Sequence, residues 1–333
     1  MLLAALIVVV VGGTAVVVRA RPGLDGVARV DLSPGPSRLP WSSGAVGEEA
    51  GFAAWRRRPL DNTTTWPARS SWAEISRPDL HGAISSKPRD AMLSIGLAML
   101  PEPAAGASFA ACATGAYDKY YRAFGKALVR LGRGDSIVRL GWEANASRNP
   151  WSIGPDVAGY KACFRRQVAA IRATAPRVRI DWNMNKDTHM PGPVTEAWPG
   201  DDVVDIVGVS FYDQWPAYPD QAAWDDDYER TQNGGPRGLG TWLRFAREHG
   251  KPLSVPEWGV APVGRGGGSD NPFYIRAMRD FFAANADDIA YETYFNRRSG
   301  FRLWPSTIRP RSAAEYLTSF GRPLEGTVTA CGR

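Results

Sequence analysis

The feature that most constrains the fold of this 333-residue chain is an alternation of short apolar runs with helix-length segments, sustained over most of its length. The strongest run is residues 203–212, VVDIVGVSFY. A strand period of two puts Ile206, Gly208, Ser210 and Tyr212 on one face and Val207, Val209 and Phe211 on the other. Further strand candidates lie at 51–55, 80–85, 91–100, 138–143, 178–183, 252–258 and 289–295, with 80–85 the weakest. Helical patterns fall at 70–75, 117–131, 157–173, 240–249 and 271–286, and Gly132, Pro176 and Gly250 mark three of their ends. Strands alternating with helices imply a parallel sheet, and eight of them over this length favour an α/β chain closed as a (β/α)8 TIM barrel. A doubly wound open sheet is the alternative.

Residues 2–18 are apolar or small and uncharged, at the short end of what spans a bilayer. Residues 1–19 therefore read as a signal anchor or a signal peptide, which sets this part apart from the fold and implies an extracytoplasmic protein, secreted or held to the membrane. Residues 20–50, rich in Pro, Gly and Ser, read as a flexible linker, 51–322 as the barrel domain and 323–333 as a C-terminal tail.

The charge excludes little by itself. Forty Lys and Arg stand against 34 Asp and Glu without long runs, and the densest basic cluster is Arg56-Arg57-Arg58, too small for a nucleic-acid stripe. His81, His189 and His249 show no ligand spacing, so neither a metal nor a cofactor is expected. A nucleophile elbow, a P-loop and a dinucleotide fingerprint are all missing from the sequence.

In a barrel the chemistry gathers where strands end, so polar residues closing apolar strands become site candidates. On 138–143, Arg139, Gly141 and Glu143 share one face. Burying a carboxylate and a guanidinium in a core is costly, which places them at a rim. Glu257 closes the seventh strand behind Pro256, a residue confined to sheet margins, and Tyr212 closes the sixth. Two carboxylates facing across a barrel mouth are the minimum for cleaving a glycosidic bond, one protonated to release the leaving oxygen and one ionised to attack. Glu292 is a competing third carboxylate, and Asp181 points inward as a partner for Arg139.

Three motifs carry a resemblance. R-x-x-x-E-x-N (Arg139, Glu143, Asn145), the acidic strand from Asp201 to Asp213 ending Y-D, and P-E-x-G (Pro256, Glu257, Gly259) resemble the family 26 glycoside hydrolases of clan A, dominated by endo-β-1,4-mannanases with related glucanases and xylanases. The resemblance implies a retaining mechanism with Glu143 as acid/base, Glu257 as nucleophile and Tyr212 hydrogen-bonding the nucleophile. The family usually carries His before its acid/base, and Trp142 stands there here. An indole donates one hydrogen bond and stacks but cannot accept or titrate, which loosens the substrate more than the mechanism.

Thirteen Trp and eleven Tyr suit both a large core and the stacking of sugar rings. Trp142, Trp182, Trp215, Trp258 and Tyr294 are the stacking candidates near strand ends, and Asn145 and Asn183 the candidates for binding hydroxyls, with Arg139 supporting the site. Cys112 and Cys163 could form a disulfide, leaving Cys331 over. The expected partner is a polysaccharide substrate, with the membrane contacted through the N-terminal segment and the chain a monomer. A non-catalytic glycan-binding barrel, and an enzyme trimming or transglycosylating the producer's own polysaccharide, are the alternatives.

Overall fold

The computed structural model describes residues 34–104, 106–297 and 300–322, preceded by a two-residue antiparallel pairing of Val10–Val11 with Thr14–Ala15. Apart from that pairing, the segment expected as an anchor or signal peptide, the first part of the linker (20–33) and the tail 323–333 lie outside the described residues.

Eight parallel strands close into a barrel: β1 Ser43–Val46, β2 Asn62–Thr65, β3 Met92–Leu97, β4 Ile137–Leu140, β5 Arg179–Asn185, β6 Ile206–Asp213, β7 Leu253–Val260 and β8 Ile289–Phe295. Each pairs with its neighbours in chain order, and β8 pairs with β1 to shut the ring. Helices α1 Glu49–Arg56, α2 Trp72–Ser76, α3 Phe109–Ala113, α4 Asp118–Arg130, α5 Val157–Arg172, α6 Gln221–Tyr228, α7 Leu239–Glu248, α8 Pro272–Ala284 and α9 Pro310–Phe320 connect and cover the strands. The (β/α)8 expectation holds, and the open sheet does not.

Two of the expected strands are not strands. Residues 51–55 lie in α1, and 80–85 form turns. The true first strand, SGAV, sits inside the expected linker, so the linker cannot run to residue 50. The Asp61 carboxylate accepts bonds from the Ser37 N–H at 2.7 Å, the Ser37 hydroxyl at 2.6 Å and the Ser43 N–H at 2.9 Å, which fixes this stretch to the barrel. The true second strand, NTTT, is buried along its length yet wholly polar. Its side chains find partners instead of fat: Asn62 with Thr293, Thr63 with Glu49, Thr64 with Ser94 and Thr65 with Ala83. Asn62 heads a glycosylation sequon but is fully buried here.

Outside the strands, an aromatic layer fills the space under the helices. Trp182 packs on Trp198, Trp242 and Phe245, and Trp258 on Tyr274, Phe282, Tyr294 and Phe320. A disulfide ties Cys112 of α3 to Cys163 of α5, with Cα atoms 5.1 Å apart. Inside the barrel, Ile137, Ile206, Met92 and Tyr291 close one end. Above them the interior turns polar. Asp181 accepts from the Ser254 and Tyr291 hydroxyls, each at 2.7 Å, and Ser94 bonds the same Tyr291 hydroxyl at 3.0 Å. Burial lifts the Asp181 carboxyl to about 6.

Candidate active site

The inward residues nearest the C-terminal ends of the strands meet at one guanidinium. Arg139 of β4, fully buried, reaches Glu257 Oε1 at 2.6 Å, Asn183 Oδ1 at 3.1 Å and Thr64 Oγ1 at 2.7 Å. Its charge is thus matched by the Glu257 carboxylate, the arrangement that makes a buried arginine tolerable. Asp181 stands beside it in register but bonds Ser254 and Tyr291. Glu257 also accepts a bond from the Tyr212 hydroxyl at 3.0 Å, as the resemblance implied for that pair. The register of β7 shifts between Ser254 and Trp258, and this irregularity lets Ser254 and Glu257 both face inward.

Glu143 arrives differently from the expectation. Strand β4 ends at Leu140, and the chain then turns through two left-handed residues, Gly141 (φ 60°) and Glu143 (φ 52°). A side chain at Gly141 would begin 2.5 Å from Met99 Sδ, so both the angle and the space call for glycine. Left-handed geometry at Glu143 costs on the order of 1 to 3 kcal/mol and is held by its N–H donating to the Asn183 carbonyl at 2.8 Å. The Glu143 carboxylate accepts from Asn185 Nδ2 at 3.0 Å and lies 3.5 Å from Arg148. Burial raises its pKa first, and the Glu257 charge raises it further, against smaller lowering by Arg148, Asn185 and Ser210. A carboxyl biased toward the protonated form therefore faces one that is ion-paired to Arg139.

Other expected residues separate by face. Trp142 stays on the mouth side, its ring edge 3.2 Å from where a side chain at Gly96 would begin. Trp215 follows β6 and is 58% exposed, the only large aromatic among the described residues so open to solvent. Trp182, Trp258 and Tyr294 are corrections: all three are fully buried on the outer, helix-facing side and cannot touch a ligand in the barrel. Their neighbours Asp181, Glu257 and Thr293 take the inward positions. Glu292 likewise faces the helix layer, accepting from Trp258 Nε1–H, and does not compete for the site. Asn145 and Asn183 are also committed elsewhere. Asn145 holds the β5 end through the Asn185 N–H and carbonyl, both at 2.8 Å, and Asn183 holds Arg139.

The site also contains side chains that the sequence reading passed over. Trp66, directly after β2, lies 5.2 Å from the Arg139 guanidinium and packs edge-on against Phe295. Gly96 opposite makes room for it, since a side chain there would start 2.4 Å from the indole. Asn185, the Glu143 partner, ends β5 and could have been found by extending that strand two residues. Trp66 gave no such signal, because the strand before it has no apolar residue. Among the described residues no group of His, Cys, Asp and Glu converges to hold a metal ion.

No family model matches the chain. A β-1,3-xylanase from a Vibrio species is 32% identical over 134 residues, 39% of this chain, and the match spans about a quarter (25%) of that relative's length. Among solved structures, GH26C from a Muricauda species has a TM-score of 0.61 at 13% identity, covering 88% of this chain and 87% of its own. A modular endo-β-1,4-mannanase from Cellulomonas fimi, described with the glycoside hydrolase family 26 mannanases, has a TM-score of 0.52 at 17% identity, covering 75% and 62%. The solved structures share the barrel, and the local sequence match is to a glycanase. In fold and in its strand-end motifs, this chain resembles the family 26 glycoside hydrolases.

Proposed function

We propose that the chain is a glycoside hydrolase that cleaves a β-linked polysaccharide with retention, using Glu257 as nucleophile and Glu143 as acid/base. The observation that carries this reading is the asymmetry of the pair, with Glu257 held by Arg139 and Tyr212 and Glu143 kept toward its protonated form by burial and by the Glu257 charge. In the first step Glu257 attacks the anomeric carbon while the C–O bond breaks and Glu143 gives its proton to the leaving oxygen. In the second, Glu143 takes a proton from water as that water displaces Glu257 from the sugar. The glycanase names of the relatives support β-1,3-xylan and β-1,4-mannan as the first polymers to try. The apolar run at 2–18 supports action outside the cytoplasm, which a topology reporter fused behind residue 33 would test.

The experiment is a polysaccharide panel with reducing-end detection and NMR of the first-formed anomer. Glu257→Ala and Glu257→Gln serve as blanks. Removing the carboxylate leaves Arg139 buried and unpaired at about 3 to 5 kcal/mol, so melting must show that both blanks are folded. The wild type should release reducing ends of retained configuration and the folded blanks none. Activity surviving in a folded blank overturns the nucleophile assignment.

A further inference from the structure

We infer that the polysaccharide is acidic, with carboxylates read by arginines that ring the carboxylate pair at the barrel mouth. This inference rests on the glycoside-hydrolase reading above.

Three different loops each deliver an exposed guanidinium to the surroundings of the pair. Arg148, after β4, has a side chain 70% exposed and lies 3.5 Å from Glu143. Arg297, after β8, lies 5.3 Å over the Trp66 ring, the same ring that meets the Arg139 holding Glu257. Arg265, in the turn Val263–Arg265 after β7, lies 6.0 Å over Phe301, which packs at 4.8 Å on Tyr212. Among the described residues neither Arg265 nor Arg297 has a carboxylate at ion-pair distance, so what sets these two apart is not the missing partner, which Arg130 and Arg177 share, but their seats on aromatic rings beside the pair.

A guanidinium resting on an aromatic face keeps its donor edge free, and that edge fits a carboxylate with two parallel bonds. Trp215, exposed, adjoins this rim, its indole nitrogen meeting the place where a side chain at Gly266 would begin. A flat open ring beside Arg265 offers stacking for a sugar and charge for its acid group. A neutral glycan gains only ordinary hydrogen bonds from these arginines, while a polyanion gains steering and charge-assisted bidentate contact as well. A substrate carboxylate drawn to Arg148 also takes away the cation beside Glu143, which favours the protonated acid that the first step needs.

The test pairs each of three β-linked acidic polymers, glucuronoxylan, polymannuronate and hyaluronan, with its own carboxyl-reduced form. Affinity electrophoresis at 20 and 300 mM salt reads binding, and initial rates on any polymer that is cut read KM. At least one native polymer should retard the wild type several-fold more than its reduced form, with the preference shrinking at high salt. Arg265→Gln/Arg297→Gln should lose that preference. Arg130→Gln/Arg177→Gln, an equal change of charge on residues that precede β4 and β5 at the opposite end of the barrel, should keep it. Equal retardation within all three pairs, or equal loss in both double variants, overturns the inference. A neutral polymer cut with no acidic preference sinks this inference alone, and failure to cut any polymer sinks the hydrolase reading while leaving the binding result to stand.

Discussion

Glu143 and Glu257 are the same side chain in opposite company, and each prediction at the residue scale follows from a neighbour. The Tyr212 hydroxyl donates to the Glu257 carboxylate, and a hydrogen bond to a charged group is worth about 1.5 to 3 kcal/mol. Tyr212→Phe should therefore lower kcat by roughly 10- to 100-fold with little change in KM, measured by steady-state kinetics. Arg148 favours the ionised form of Glu143. Arg148→Gln should let Glu143 hold its proton to higher pH, so the alkaline limb of the kcat/KM profile should move up, and a downward or absent movement would separate that limb from Glu143. Glu143 and Tyr212 were legible because each follows or nearly closes an apolar strand, whereas Glu257 and Pro256 lie within β7, at its irregularity, and not at the strand margin expected for them. Trp182, Trp258 and Tyr294 were misread because nearness to a strand end says nothing about face, and each neighbours an inward residue.

At the scale of the element, burial rather than hydrophobicity decided what the sequence could reveal. Strands β3, β5, β6, β7 and β8 announced themselves through apolar runs, but β2 is four polar residues whose donors and acceptors are matched by the rest of the barrel. No periodicity argument finds a strand whose apolar signal has been replaced by hydrogen bonds. The outer face of β8 carries a related substitution in Glu292, buried under the helices and lifted to about 7 chiefly by that burial. Its folded pKa lies above the ordinary value, so the folded state holds the extra proton and stability falls as pH rises from about 4.5 to about 7. That gap is worth on the order of 3 kcal/mol. Glu292→Gln, which keeps an acceptor for the Trp258 N–H, should flatten the fall. Denaturant midpoints of the two proteins at pH 5 and pH 8 check it, and a constant difference between them would refute it.

For the molecule as a whole, the ring closes only through β1, which pairs with β8 over Ser43–Val46 against residues 292–295. A chain starting at Gly51 should lack a cooperative melt and aggregate, whereas one starting at Pro34 should fold, as read by calorimetry and size exclusion. Arg56 reinforces this junction, donating to Ser43 and to Tyr316 of α9. The closing pair also has a meaning for biogenesis. A chain emerging from the ribosome carries β1 and β7 with unpaired edges until Ile289–Phe295 has been made, because no earlier segment can occupy that gap. Glu143, in the turn after β4, and Glu257, on β7, sit in a ring that is complete only when the last strand arrives, so the geometry proposed for catalysis and protection from edge-to-edge association should be reached in the same late event.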